Sequence, residues 1–318
     1  MSSLQCVSLY SSAGHALVGA EPTGPVRLCF TQLAPQRGVS APRRVLLIHG
    51  NPSHLDHWIH NVPALRRHAH VLAYDQPGLG RSDDFADSRH SLERSADIAL
   101  ALLDRVGWEE QVDVIGQSHG GMVALALAAR APERVRSVVL LGTGGTPAHL
   151  AYRVLALPGL ERVLVSLANL LAPIRDLATA GLDAAAVRAA PGGLKERSLA
   201  WVLRAAMRTS FAPDPVSPSV VAESLGMPPH VLGTMARLAG DDPCRKVAEY
   251  ASRVRVPVWF IHARADALVG LAYARRLFEI MRLAGGDVRF SEVEGGHMMH
   301  FTRPEIINPL LESVFASP

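Results

Sequence analysis

The sequence predicts an α/β protein, a parallel sheet with helices on both faces, carrying one helical insertion. Three observations lead there. Continuous apolar runs at 44–48, 70–74, 111–115, 137–141 and 256–261 are typical of strands covered on both sides. Segments of helical period alternate with them, and that alternation requires parallel strands joined by right-handed crossovers. The alternation then stops after Leu141 and resumes near Val254.

Taken in order, residues near 5–10 and 26–31 read as short strands around a Gly/Pro turn, an antiparallel hairpin. The run 92–106 has apolar residues at helical spacing with Ser91 as its cap. Residues 121–130, rich in Ala and Leu, continue the pattern as a helix after the strand 111–115. Between 146 and 252 no strand is evident. Helical segments there are broken at Pro158, Pro173, Pro191, Pro213, Pro215, Pro218 and Pro228-Pro229. An insertion at the carboxyl edge of a parallel sheet lies above the place where such sheets bind ligands. The expected organisation is a core at 1–145, a helical cap at 146–252, and the rest of the core at 253–318. A strand at 287–293 and a final helix from Pro304 complete it.

Composition narrows the function. With 318 residues, 48% of them hydrophobic, the chain can bury a substantial core. The 32 basic and 29 acidic residues leave a net charge of +3, and the arginines are scattered, so no nucleic-acid partner is indicated. Three cysteines, Cys6, Cys29 and Cys244, lack CxxC spacing and suggest neither a disulfide framework nor zinc. No secretory signal and no apolar run of membrane-spanning length is present, so a cytoplasmic protein is expected.

The chemistry centres on Gly116-Gln117-Ser118-His119-Gly120, between a strand and a helix. A serine at such a turn is held in a strained conformation, its hydroxyl at the carboxyl end of the sheet above a helix amino terminus. The hydroxyl needs a base, and the base needs a group to fix its tautomer. His297 follows Glu294-Gly295-Gly296 directly after the strand 287–293, and the glycines give that loop freedom to aim the ring; His300 competes. Asp266 lies just past the strand 256–261, whereas Asp241 and Asp242 lie within the insertion and lack a sheet to fix them. The backbone N–H groups of Asn51 and His119 are candidates for an oxyanion hole. His49 reads as a structural residue that pins the Gly50-Asn51-Pro52 turn.

These motifs resemble the α/β-hydrolase fold superfamily. His49-Gly50-Asn51-Pro52 follows one strand and Asp75-Gln76-Pro77-Gly78-Leu79-Gly80-Arg81-Ser82 the next; then come the Ser118 turn, Asp266 and His297 in that order. The resemblance implies an eight-stranded, mostly parallel sheet, a serine nucleophile and no cofactor. Ala263 stands where related chains usually have glycine. Ser118 and His119 at the elbow argue against haloalkane dehalogenases, which require aspartate and tryptophan there, and Ser118 argues against epoxide hydrolases. Met298 stands where carbon–carbon bond hydrolases of ring-cleavage pathways usually carry tryptophan, and the Gly-Gly-Ser-Trp-Gly of proline iminopeptidases is absent.

Hydrolysis of a small-molecule ester or thioester through an acyl-enzyme on Ser118 is therefore expected. The alternatives are carbon–carbon bond hydrolysis, acyl transfer or cyclisation with the same three residues, and, from another class, non-catalytic binding on the same fold. Trp201, Met207, Phe211, Met227 and Met298 are candidate pocket residues. His54, His57 and His60 recur every third residue but lack metal-ligand partners and read as a helix face, so no metal site is expected. Gly142-Thr143-Gly144-Gly145 does not complete a dinucleotide turn, because Pro147 takes the place of the third glycine.

Overall fold

Buried residues alternate between two hydrophobic clusters along each central strand, and this period of two builds the molecule as three layers. In a computed structural model, residues 8–20, 24–144, 211–214, 234, 237 and 243–316 are described. The strands are β1 Gly14–Ala20, β2 Gly24–Leu33, β3 Arg43–Ile48, β4 Ala69–Tyr74, β5 Val112–Gln117, β6 Val135–Leu141, β7 Val258–Ala263 and β8 Val288–Val293. They form one eight-stranded sheet in the order β1-β2-β4-β3-β5-β6-β7-β8. β2 pairs antiparallel with β1 and β4, and every other pairing is parallel.

Of the strand expected near 5–10, residues 8–10 are described, and they are not in a strand. Residues Leu9–Ser12 form a 3-10 turn, and the hairpin strand is β1. The turn is tied down from outside the hairpin: the Leu9 N–H donates to Asp56, and the Tyr10 hydroxyl donates to Asp75 at 2.8 Å. These bonds hold Leu9 and Tyr10 in the turn.

Short α1 Val62–Leu65 is followed by α2 Leu92–Arg105, α3 His119–Arg130, α4 Pro243–Arg253, α5 Leu271–Leu283, α6 Met299–Thr302 and α7 Pro304–Ala316. α2 starts where expected, with the Ser91 hydroxyl accepting from the Arg94 N–H. One face of the sheet, through Leu46, Ile48, Val114, Val138, Leu140 and Phe260, packs with apolar residues of α2, α3, α4 and α5. The other face, through Val45, Leu47, Ile115, Val139, Leu141 and Ile261, packs with Trp58, Leu65, Ile307 and Leu311. Trp58 is fully buried, and truncating such a ring to alanine costs about 3–5 kcal/mol. The amino-terminal end of the sheet is held by Asp113, which takes both Nε (2.8 Å) and Nη2 (2.7 Å) of Arg43 and the Ser137 hydroxyl (2.6 Å).

The chain runs outward from β3 to β4 on one side and returns to β5 on the other, so the strand order reverses between β3 and β5. Loops after these two strands diverge and leave a crevice at their carboxyl ends. Of the expected insertion, 146–252, the structure describes 211–214, 234, 237 and the residues of α4, whose Val247 and Ala251 belong to the larger core cluster. Among the described residues no helix is long and apolar enough to cross a membrane.

Candidate active site

Ser118 sits in the crevice between the end of β5 and the start of α3, with φ 52° and ψ −118°. That conformation is strained for a residue with a Cβ. Packing enforces it: the Ser118 N–H donates to the Leu141 carbonyl at 2.8 Å, and the Ser118 carbonyl accepts from the Gly121 N–H at 3.0 Å. The strand and helix also approach closely. A Cβ at Gly120 would lie 2.2 Å from the Ile48 carbonyl oxygen, so only glycine fits. The backbone N–H groups of Asn51 and His119 donate to no other protein group among the described residues. His119 opens α3 directly after Ser118, and Asn51, after β3, lines the same pocket as Ser118.

His297 and Asp266 meet at the same edge. Asp266 follows β7, His297 follows β8, and His297 Nδ1 lies 2.8 Å from Asp266 Oδ2. The other carboxylate oxygen of Asp266 accepts from the N–H groups of Val269 (2.7 Å) and Leu268 (3.0 Å). Burial alone raises this carboxyl's pKa, but the imidazole of His297, with its charge and hydrogen bond, then His262 and the Val269 amide, hold it below the usual carboxylate range. A carboxylate at Nδ1 keeps the proton on that nitrogen and leaves Nε2 as an acceptor. The Gln117 amide Nε2 lies 3.3 Å from His297 Nε2, and no hydrogen bond joins His297 to Ser118 in this structure.

A pocket lined by Asn51, Pro52, His57, Gln117, Ser118, Phe211, Leu268, His297 and Met298 brings these groups together. Of the candidate substrate residues, Phe211 and Met298 line it, while Trp201, Met207 and Met227 lie outside the described residues. The His119 ring does not line the pocket: it is fully buried, neither ring nitrogen has a partner among the described residues, and burial pushes its pKa down to about 3. The competing His300 packs its ring on Trp58 at 4.7 Å and does not line the pocket. His49 pins its loop as expected, accepting from the Gln76 N–H at 3.0 Å on Nε2 and contacting the Gly50 carbonyl at 2.8 Å through Nδ1.

Two residues escaped the sequence reading. His57 lies in a 3-10 turn, Leu55–Trp58, rather than on the expected helix face. Its ring lines the pocket, with Nδ1 2.5 Å from the Ser53 hydroxyl. Burial, with His54, His300 and His49 adding to it, drives its pKa well below the ordinary histidine value, so the ring is neutral. Asp214 is the second, a buried carboxylate bonded to the loop that carries His297. No local signal marks either one, because both depend on contacts made far along the chain. No group of three or more His, Cys, Asp or Glu side chains among the described residues is arranged to hold a metal.

The family model for the alpha/beta hydrolase fold matches residues 43–174. Over the whole chain, the backbone is similar to a thermophilic esterase from Thermogutta terrifontis, with a TM-score of 0.71 at 18% identity, covering 96% of this chain and 98% of that one. The chain has the α/β-hydrolase fold. Closer sequence similarity is confined to part of this hydrolase-fold chain. It is 38% identical over 104 residues to a 2-hydroxymuconate semialdehyde hydrolase from Pseudomonas sp. (strain CF600), covering 32% of this chain and 36% of that protein. It is also 38% identical over 107 residues to the lipase LipV of Mycobacterium tuberculosis, covering 33% and 38%. The matches thus span little more than a third of these relatives' length.

Proposed function

We propose that the protein is a serine hydrolase that cleaves a carboxylic ester or thioester, with Ser118 as nucleophile, His297 as general base and acid, and Asp266 as the group that orients His297. The observation that carries this reading is the Asp266–His297 hydrogen bond, which leaves Nε2 available in the pocket that also holds Ser118. Ser118 Oγ attacks the acyl carbonyl and passes its proton to Nε2, taking the place of the Gln117 amide there. Asp266 stabilises the imidazolium that forms. Negative charge on the former carbonyl oxygen is met by the N–H groups of Asn51 and His119, each such donor contributing about 3 to 4 kcal/mol. His297 then protonates the leaving alcohol or thiol. Water, deprotonated by His297, attacks the acyl-enzyme and releases the acid, restoring the Ser118 hydroxyl. Phe211 and Met298 supply apolar walls, and the stretch 146–252, which contributes Phe211, acts as the cap.

A second reading is favoured by the local similarity to the 2-hydroxymuconate semialdehyde hydrolase. Carbon–carbon bond hydrolysis would use the same Ser118, His297 and Asp266. Met298, buried in the pocket wall, stands where such hydrolases usually carry tryptophan and weighs against it. A panel of p-nitrophenyl esters of increasing chain length, assayed beside a vinylogous ring-cleavage product, separates the two. Ester turnover lost in Ser118→Ala supports the first reading. Turnover of the ring-cleavage product alone replaces it with the second.

A further inference from the structure

Resting on the reading of His297 as the base, we infer that Asp214 is a positioning residue that holds the His297 backbone while Asp266 holds its ring. Asp214 is supplied by 211–214, from the stretch between β6 and β7, yet among the described residues its carboxylate bonds to the His297 loop and the turn after it. Oδ2 accepts from the Gly296 N–H at 3.2 Å and from the Thr302 hydroxyl at 2.7 Å. Oδ1 accepts from Arg303 Nε at 2.7 Å. The three donors bracket His297, one residue before it and five and six residues after it. One buried carboxylate therefore closes both ends of the loop.

The contact is close as well as polar. A Cβ at Gly296 would lie 1.9 Å from the Ala212 carbonyl oxygen, so the loop can seat against 211–214 only with glycine there. Phe211, three residues before Asp214, lines the pocket with His297. The geometry divides the work between two carboxylates. Asp266 fixes the rotation of the imidazole through Nδ1, and Asp214 fixes where the Cα that carries it stands. A loop entered through two glycines has little stiffness of its own, and a displacement of about 1 Å at a reacting group can cost on the order of 100-fold in rate. Without the carboxylate, the buried Gly296 N–H loses its acceptor and nothing else described replaces it.

The test uses the purified full-length chain and the rate at which a fluorophosphonate labels Ser118, with kcat and KM on a short p-nitrophenyl ester and thermal unfolding of the same samples. Asp214→Asn should slow labelling and kcat on the order of 10-fold to 100-fold, leave KM unchanged, and weaken the downfield Nδ1–H proton resonance of His297. Thr302→Val should act in the same direction more weakly, and Thr302→Ser, which restores the hydroxyl, should recover the wild-type rate. That pair decides the matter if Asp214→Asn does not fold. Wild-type labelling and kcat in a folded Asp214→Asn protein would overturn the inference, as would a loss that merely tracks the fraction unfolded, or equal rates in Thr302→Val and Thr302→Ser. If the wild type itself is not labelled, the reading of Ser118 and His297 fails first, and the inference falls with it.

Discussion

The turn that carries Ser118 and the loop that carries His297 stand face to face across one pocket, but they are built by different means. Backbone alone makes the first: Ser118 is pinned by the Leu141 carbonyl and the Gly121 N–H, and Gly120 lets α3 pass under β3. Side chains from distant positions make the second, with Asp266 on the ring and Asp214 on the Gly296 N–H and Thr302. A group that must stay put is set in strained, locally encoded backbone. His297, in the proposed role of accepting and returning a proton, is held by charged partners, whose removal is expected to misplace it without rebuilding the fold.

The largest effect expected on either side is at Ser118 itself. Ser118→Ala should lower turnover by on the order of 10,000-fold or more while the thermal unfolding midpoint stays near that of the wild type, measured by ester hydrolysis and calorimetry. On the other side, Asp266→Asn should come next, at about 10,000-fold in kcat, because an amide can hold His297 in the wrong tautomer. Should Asp266→Asn cost no more than a few-fold, the loop is not held by its charges and the contrast fails.

The two supports also differ in how substitution damages them. Gly120→Ala meets a backbone carbonyl at the elbow, and Gly296→Ala meets the Ala212 carbonyl at the loop. Overpacking of this kind costs about 1–3 kcal/mol or more. Gly120→Ala is expected to lower stability in urea unfolding, whereas Gly296→Ala is expected to lower kcat by a larger factor than its stability loss accounts for.

Acid should act on the whole protein rather than on the site alone. His49, His119 and His300 are buried, and burial pushes each down to about 3, so all three are neutral in the folded state at neutral pH. The unfolded chain binds their protons near pH 6.5 and the folded chain does not. Stability therefore falls as the pH drops below about 6.5, by about 1.4 kcal/mol per pH unit for each group. Asp266 adds to this at lower pH: its folded pKa lies below the unfolded one, so its contribution is present above about pH 4 and is lost as the pH falls through the folded value. Urea unfolding at pH 7, 6 and 5 measures the slope, and His119→Leu should reduce it by one group's share. The smallest effect expected is from Ser118→Gly, which should be more stable than Ser118→Ala by about 1 kcal/mol, since glycine adopts φ 52° without the Cβ penalty.

Much of this was legible before any coordinates. β3 to β7 follow from apolar runs because strands buried on both faces have no other composition, and the elbow follows from glycines and a serine within five residues. Asp266 and His297 were readable from their places just past β7 and β8. Leu9 and Tyr10 lie in a turn and not in the expected strand because Asp56 and Asp75, more than forty residues on, hold them there. His57 and Asp214 were missed for the same reason: neither a 3-10 turn folded against Phe301 nor a carboxylate bonded 82 and 88 residues away leaves a period in the sequence.

The proposed chemistry requires an activated Ser118. Intact-protein mass after exposure to a fluorophosphonate, for the wild type, Ser118→Ala and His297→Ala, tests it most directly. One adduct on the wild type, none on Ser118→Ala and greatly slowed addition to His297→Ala is the predicted result. An adduct that persists in Ser118→Ala, or labelling of His297→Ala at the wild-type rate, would contradict it.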